Sequence, residues 1–137
     1  MSEFGQSAVI PYRHLNERIE VLLITSSDGE RWIVPKGLLE PDITPAESAA
    51  KEALEEAGVK GRVGNTSIGE YHYEKWGNDY RVEVFLLEVE EELDDWVEAK
   101  LRQRKWMSVE DAVSIVEPDG LKDIVRDVAK HIDHSRW

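Results

Sequence analysis

Three glutamates in the segment EALEEAGV have types and a spacing that suit metal-ion chemistry. Residues three and four positions apart share one side of an α-helix, so Glu52, Glu55 and Glu56 would line a single stripe. Like charges at this spacing destabilise a helix, whereas Mg²⁺ and Mn²⁺ bind to carboxylate and carbonyl oxygens. The glutamates therefore predict a divalent-metal site, to which a loop carbonyl near Gly37 would add an oxygen. The alternative is an acidic face that contacts only water.

Cations held by these carboxylates would suit the hydrolysis of a phosphate-containing substrate. A divalent cation bridges phosphate oxygens, lowers the pKa of a bound water and offsets charge in an in-line displacement. Glu52, Glu55 and Glu56 are therefore candidates for catalysis as well as for metal binding. Glu55 is the first choice to orient or deprotonate the attacking water. No Ser, Cys or His arrangement indicates a covalent intermediate.

A capped helix must carry the three glutamates. Thr44 and Glu47 form a capping box, and Pro45 suits the first helical position. The helix is predicted over residues 45–57, and Gly58 supplies the left-handed residue that commonly follows a helix. The loop that precedes the helix then lies beside the glutamates.

Strands fill most of the remaining sequence. Apolar patterns predict strands or β-rich segments over residues 7–13, 18–25, 31–34, 62–74, 81–90 and 104–107. A capping pattern at Ser108 predicts a short helix to about residue 116, and apolar residues at helical spacing predict a terminal amphipathic helix over residues 121–132. This mixture predicts an α+β or α/β sandwich, with residues 1–137 forming one domain.

Residues 37–59 resemble the Nudix box, written G-x5-E-x7-R-E-U-x-E-E-x-G-U with U an aliphatic residue. The residues that match it are Gly37, Glu52, Ala53, Glu55, Glu56, Gly58 and Val59. The resemblance implies an α+β fold of the Nudix type, an α/β/α sandwich with a mixed central sheet and flanking helices. It also implies Mg²⁺- or Mn²⁺-dependent hydrolysis of a nucleoside diphosphate linked to another moiety, or of a related pyrophosphate.

Two positions depart from the box. Ile43 stands where the box has its first Glu, and Lys51 stands where it has Arg. In the family these positions commonly support the loop and helix around the site, and Lys lacks the planar fork of Arg. Glu40 and Asp42 are close enough in sequence to supply an acid to the loop, while Lys51 has an acid four positions away on either side. The departures leave the number of metals open.

Several segments outside the box resemble the diphosphoinositol polyphosphate and diadenosine polyphosphate hydrolase branch of the family. They are AVIPYR at 8–13, RWIVPKG at 31–37, GVKGRVG at 58–64 and LDDWVEAKLRQRKWMSVEDAVSIV at 93–116. The resemblance implies a polyanionic substrate, either a diphosphoinositol polyphosphate or a dinucleoside polyphosphate. Other nucleoside diphosphate derivatives, such as nucleotide sugars or nucleoside triphosphates, are the alternative substrates.

A polyanionic substrate requires bases beside the acidic site. Lys36 adjoins Gly37 at the mouth of the inferred site, Arg31 shares the preceding strand, and Arg13 ends the first strand, where the family's substrate pocket tends to lie. The candidates for substrate binding are Lys36, Arg31, Arg13, Arg81 and Lys75. Each of them has a surface base as its alternative interpretation.

Residues 71–98 add an acid and several aromatic side chains. In Nudix enzymes a distal carboxylate often completes metal binding or acts as a base, so Glu98 is a candidate additional acid, with a solvated acidic loop as the alternative. His72 is assigned no catalytic role. The hairpin also carries aromatics that would stack on a nucleobase or pack against the sheet, namely Tyr71, Tyr73, Trp76 and Tyr80.

The composition bounds the partners and the location. A formal charge of −12 disfavours nucleic acid and anionic membranes, although a local basic cluster still binds a small phosphorylated substrate. No apolar run approaches the roughly 20 residues of a membrane span, and the amino terminus lacks the pattern of a signal peptide. We therefore expect a cytoplasmic protein, a monomer or small homo-oligomer, whose partner is a small molecule.

Two non-enzymatic alternatives stay open because Ile43 and Lys51 depart from the box. One is a Nudix-like sensor that binds a nucleotide or metal without releasing phosphate. The other is an acidic α+β domain that presents its terminal helix to a protein partner. Metal-dependent release of phosphate distinguishes the enzyme from both alternatives.

Overall fold

An eight-stranded mixed sheet forms the centre of the molecule in the computed structural model, which describes residues 3–132. Its strands, in chain order, are β1 Glu3–Leu15, β2 Arg18–Thr25, β3 Trp32–Ile33, β4 Lys36–Leu38, β5 Val59–Val63, β6 Gly69–Lys75, β7 Asn78–Glu92 and β8 Arg104–Ser108.

Strand β1 lies inside the sheet and pairs with three other strands. It pairs in antiparallel fashion with β2 and β4 and in parallel fashion with β7. β2 also pairs with β3 and β8, and β7 also pairs with β5 and β6. The centre of β1, from Ala8 to Ile10, is fully buried, because both faces of the sheet are covered, which explains its continuous apolar run.

Helices cover both faces of the sheet. Helix α1, Pro45–Glu52, packs its alanines against one face, where Val9 and Phe85 lie beneath it. Helix α2, Val109–Ile115, and helix α3, Gly120–Arg126, cover the other face. This confirms the predicted α/β/α sandwich with a mixed central sheet and flanking helices.

Several predicted strands differ in extent from the observed ones. β1 begins before residue 7, and the segment 62–74 covers only the end of β5 and most of the separate strand β6. Residues 36–38, predicted as a loop, form β4 because they pair with residues 6–8 of β1. Pairing partners that are distant in sequence decide these boundaries, so local patterns could not locate them.

Both long predicted helices change character before they end. Thr44 and Glu47 make the predicted capping box, and Gly58 is left-handed as predicted, but α1 becomes π-helical over Ala53–Ala57. The predicted helix over 121–132 ends at Arg126 and gives way to a 3₁₀ turn, Val128–His131.

The apolar side of the terminal helical segment is buried in the domain. Leu121, Val125, Val128 and Ile132 pack in the same core as the sheet residues. This burial removes the observation that motivated a terminal helix presented to a protein partner. Within residues 3–132, no helix is long and apolar enough to cross a membrane. That residues 1–137 form one domain stays a prediction, because residues 1–2 and 133–137 lie outside the described part.

Candidate active site

The junction between α1 and its π-helical continuation positions the three glutamates. Glu52 is the last residue of α1, whereas Glu55 and Glu56 belong to the π-helical segment. The amide of Gly58 closes this segment by donating to the carbonyls of Ala53 and Leu54. The sequence predicted a uniform α-helix here. Short π-helical segments often occur at functional sites because they redirect side chains.

Glu56 is the buried member of the acidic cluster. Glu56 is only 7% exposed, and its Oε1 accepts a hydrogen bond from the amide of Lys36 at 3.3 Å. Burial raises the pKa of Glu56 to about 8, Arg102 opposes this effect, and Glu52 adds to it. Burial, followed by repulsion from Glu55, likewise raises the pKa of Glu52. A cation bound beside these two carboxylates would therefore stabilise their charged forms.

Gly37 and Glu52 make the closest approach between the loop and the helix. A Cβ atom on Gly37 would lie 2.5 Å from the carboxylate carbon of Glu52. Any side chain at position 37 would therefore displace the carboxylate. The absence of a side chain lets Glu52 lie against the β4 backbone. This is the structural reason for glycine at the first position of the predicted motif.

Glu98 joins the acidic cluster from a distant segment of the chain. Its amide donates to the carbonyl of Glu55 at 3.0 Å, and its negative charge contributes to the raised pKa values of Glu52 and Glu56. From the sequence, the alternative interpretation of Glu98 is an acid in a solvated loop. The structure brings it beside the three glutamates, while its role stays a prediction.

Arg102 is a residue of the site that the sequence analysis did not select. Its Nε donates to Oε1 of Glu98 at 2.7 Å, its Nη2 lies 3.8 Å from Oε1 of Glu56, and its Nη1 donates to the carbonyl of Thr25 at 2.9 Å. The four-residue spacing from Glu98 was a signal that could have identified it. The guanidinium therefore links two carboxylates to the end of β2.

A basic cavity adjoins the acidic cluster. It has a volume of about 300 Å³, and its lining has three bases and one acid: Arg31, Ile33, Lys36, Tyr73, Glu74, Lys75 and Pro118. Nζ of Lys36 lies 5.4 Å from the ring centroid of Tyr73. Burial lowers the pKa of Lys36, and the nearby carboxylate of Glu56 acts in the opposite direction. Three of the five bases predicted from the sequence are thus brought together.

Arg13 and Arg81 do not line this cavity. Arg13 forms a salt bridge with Glu20 at 2.7 Å and lies over the ring of Trp106. Position 7 of β1 lies opposite Gly37, so Arg13 is six residues, or about 20 Å, further along the strand. Arg81 lies opposite His72, and its side chain alternates away from the face that carries Tyr73. The structure therefore separates these two arginines from the other three bases.

The hairpin aromatics mostly pack on one another. The rings of Tyr73 and Tyr80 stack with centroids 4.8 Å apart, and the hydroxyl of Tyr73 donates to Gln6. Tyr71 is buried beside them, whereas Trp76 is 88% exposed at the tip of the hairpin. These contacts favour the sheet-packing interpretation for the tyrosines.

The donor set fits a cation that keeps water or substrate oxygens in its coordination shell. Within residues 3–132, no three acidic or imidazole side chains converge into a ready-made metal cage. Mg²⁺ is usually bound by one or two carboxylates plus phosphates and waters, so a closed cage is not required. The Glu52 carboxylate held against Gly37 and the buried Glu56 provide oxygen donors of the right kind.

Lys51, one of the two departures from the Nudix pattern, forms a salt bridge with an acid of the preceding loop. Nζ of Lys51 lies 2.5 Å from Oε1 of Glu40 and 4.0 Å from Oε2 of Glu55. Glu47 instead closes the capping box by accepting from the amide of Thr44. Glu40, three residues before Ile43, therefore supplies the acid that the sequence analysis expected from the loop.

Comparison with known proteins identifies the family. A family model described as the NUDIX domain matches residues 6–130, and the chain therefore belongs to the Nudix family. This confirms the resemblance drawn from residues 37–59 and the prediction of a Nudix hydrolase domain. Members of this family generally use divalent metal ions, in agreement with the carboxylates described above.

Similar proteins carry hydrolase names. Diphosphoinositol polyphosphate phosphohydrolase 3-beta of Bos taurus is 41% identical over 101 residues, which cover 72% of this chain and 60% of that protein. Nudix hydrolase 16, mitochondrial, of Arabidopsis thaliana is 35% identical over 132 residues, which cover 83% of this chain and 73% of that protein. The chain thus spans about 60% of the length of the diphosphoinositol polyphosphate phosphohydrolase.

Solved structures share the fold. A C. elegans Ap4A hydrolase in a binary complex has a TM-score of 0.74 and 22% identity, covering 93% of this chain and 96% of that chain. The NUDIX domain of Shewanella oneidensis NrtR complexed with ADP ribose has a TM-score of 0.73 and 13% identity, covering 94% of this chain and 90% of that chain. At these identities the likeness establishes the fold alone.

Proposed function

We propose that this chain hydrolyses a pyrophosphate bond with the help of Mg²⁺ or Mn²⁺. The observation that carries the proposal is the junction of two oppositely charged regions. The amide of Lys36 bonds to the buried carboxylate of Glu56, and the Lys36 side chain lines the basic cavity with Arg31 and Lys75. A phosphate chain bound to these bases would extend directly to the carboxylates.

The acidic residues supply the metal ligands and the base, and Glu55 is a candidate for both roles. Glu52, Glu55 and Glu56 are the candidates for holding the cation, with a carbonyl near Gly37, and Glu98 is the additional acid. When bound, a divalent cation would offset phosphate charge and lower the pKa of water. Glu55 is the proposed acceptor of the water proton, because its carboxylate is half-exposed and thus accessible to water. Water then attacks phosphorus, and the bridging P–O bond breaks.

The proposed substrates are phosphate-rich polyanions. The three bases of the cavity favour a diphosphoinositol polyphosphate or a dinucleoside polyphosphate, and a relative at 41% identity is named a diphosphoinositol polyphosphate phosphohydrolase. A substrate screen distinguishes these from nucleotide sugars and nucleoside triphosphates. The cytoplasmic location and the monomeric or small oligomeric state stay predictions.

A screen with a matched variant tests the proposal. Each substrate class is incubated with Mg²⁺, Mn²⁺ or EDTA, and products are identified by mass. Glu56→Gln keeps the shape of the buried side chain but cannot become the anion that a cation would bind, so we expect turnover to fall by more than about 100-fold with an unchanged circular dichroism spectrum. Turnover near that of the wild type in the variant, or in EDTA, contradicts the assignment. Ligand-induced stabilisation without any product would indicate the sensor instead.

A further inference from the structure

Two buried serines without hydrogen-bond partners lie on the elements that border the acidic cluster, one on β1 and one on α1. Ser7 is fully buried and Ser48 is 1% exposed. Neither hydroxyl has a partner among the residues that the structure describes. Buried hydroxyls are nearly always hydrogen-bonded, so an unpaired one indicates strain, a catalytic role, or a group that binds there. Two of them on the same side of the sheet require a common explanation.

Ser7 faces the helix that carries the glutamates. It lies directly opposite Gly37 in the antiparallel pair of β1 and β4, and directly opposite residues project to the same face of a sheet. On that face Gly37 abuts the carboxylate of Glu52. Ser7 also alternates with Val9, which packs beneath α1. Sheet register therefore directs its hydroxyl toward the side on which Glu52 lies.

Ser48 approaches the same glutamate along the helix. It lies one turn before Glu52 in α1, and residues four positions apart are neighbours on a helix surface. Side chains of a helix lean toward its amino terminus, so the side chain of Glu52 leans over Ser48. Sheet register and helical spacing therefore direct the two hydroxyls toward Glu52 from two sides.

We propose that Ser7 and Ser48 are positioning residues for the Glu52 carboxylate, and this rests on the proposed metal-dependent function. Their hydroxyls donate to the Glu52 carboxylate through an intervening water molecule, since neither makes a direct hydrogen bond among the residues that the structure describes. Hydrogen bonds of this kind fix the orientation of a ligating carboxylate. Both serines are buried, so their effect on catalysis is transmitted through Glu52.

Alanine variants distinguish this role from a purely structural one, because only the positioning role predicts weaker Mn²⁺ binding. Removing an unpaired buried hydroxyl does not lower the stability of the metal-free protein. If the hydroxyls orient Glu52, Ser7→Ala and Ser48→Ala weaken Mn²⁺ binding about tenfold while the Tm in EDTA is maintained or raised. If the hydroxyls serve only packing, Mn²⁺ affinity does not change.

Mn²⁺ titrations followed by electron paramagnetic resonance, with Tm in EDTA, test the proposal. Ser114→Ala is the control, because this serine is exposed on α2 across the sheet and its hydroxyl donates to the carbonyl of Asp111. In a Glu52→Gln background, we expect Ser7→Ala to change Mn²⁺ affinity less than about twofold, since the two residues act as one unit. An undiminished affinity in both serine variants, or an equal loss in the Glu52→Gln background, overturns the proposal.

The wild-type titration separates this proposal from the proposed function. If the wild type binds Mn²⁺ and the serine variants bind it equally well, only the positioning role is wrong. If the wild type binds no Mn²⁺ in the absence of substrate, the positioning role is wrong, whereas the metal-dependent function is decided by turnover with and without EDTA.

Discussion

Lys51 and Glu40 form a salt bridge, with Nζ 2.5 Å from Oε1, at the two ends of the loop-to-helix segment. The Nudix pattern has Glu where this chain has Ile43 and Arg where it has Lys51, so both members of one potential ion pair are replaced together. Moving the acid from position 43 to position 40 restores an opposite charge for the Lys. The chain therefore retains an electrostatic link between loop and helix although its sequence departs from the pattern.

Breaking this salt bridge should affect turnover only modestly. Both side chains are about half-exposed, and exposed ion pairs are weakened by water and salt. We expect Glu40→Gln and Lys51→Met each to lower kcat/KM by less than about fivefold, with the double variant no worse than either single one. Steady-state kinetics at low and high salt measure this effect, which should vanish in high salt.

The neighbouring Asp42 supplies the control for this prediction. Asp42 has no ion pair among residues 3–132, so Asp42→Asn should leave kcat/KM unchanged. An equal effect of Asp42→Asn and Glu40→Gln would show that overall loop charge matters rather than the pair with Lys51.

The sequence was informative where local rules act alone. Thr44 and Glu47 specify the helix start through contacts within one turn, and Gly58 specifies the end through its left-handed backbone, so both were predictable. The π-helical segment was not, because its hydrogen bonds differ from those of an α-helix by one residue while the side-chain sequence remains compatible with both. Strand β4 was missed because its partner lies about 30 residues earlier in the chain.

In the candidate site, too, the features set by local sequence were predictable and those set by distant contacts were not. The spacing of the glutamates predicted their common location, because a helix relates them directly. Arg102 and Glu98 reach the site only through the tertiary fold, and Arg13 is separated from it by its position along β1. Glu98 was a candidate through the family resemblance, whereas Arg102 was not selected. Contacts between segments distant in the chain bring both residues to the glutamates, and the register of β1 separates Arg13 from them.

A side chain at position 37 should disrupt the site without unfolding the protein. In Gly37→Ala the new methyl group would displace the carboxylate of Glu52, and a displacement of about 1 Å costs roughly 100-fold in rate. We expect kcat to fall by about that factor while the circular dichroism spectrum is retained. Gly64→Ala is the matched control, because its nearest neighbour would be 3.8 Å away. Equal losses in both variants would indicate a general effect of glycine replacement.

Substrate affinity should depend on Lys36 rather than on Arg13. Lys36 lines the basic cavity beside Glu56, whereas Arg13 is bound to Glu20 far along β1. Loss of one charge-assisted contact to phosphate corresponds to roughly a tenfold loss of affinity. We therefore expect Lys36→Met to raise KM about tenfold, with the effect reduced by salt, and Arg13→Gln to leave KM unchanged. The reverse ranking would show that the substrate occupies the other end of the sheet.

Arg102 and Glu98 should act as one unit in turnover. The guanidinium of Arg102 is largely buried and contacts Glu98, Glu56 and the carbonyl of Thr25. Removing one partner from such a network leaves an uncompensated charge. We expect Arg102→Gln and Glu98→Gln each to lower kcat at least about tenfold, and the double variant to lose far less than the product of the two effects. Kinetics and Tm for the four proteins of this cycle provide the measurement.

Two further variants decide whether the geometry of the guanidinium matters. Arg102→Lys keeps the charge but presents a single ammonium group, which does not reproduce three separately directed contacts, so we expect it to restore little of the lost kcat. Lys130→Gln removes an exposed base paired with Asp127 and should have no effect. Full activity in Arg102→Lys would show that positive charge alone suffices beside Glu56, and multiplicative losses in the Arg102 and Glu98 cycle would show that the two residues act independently.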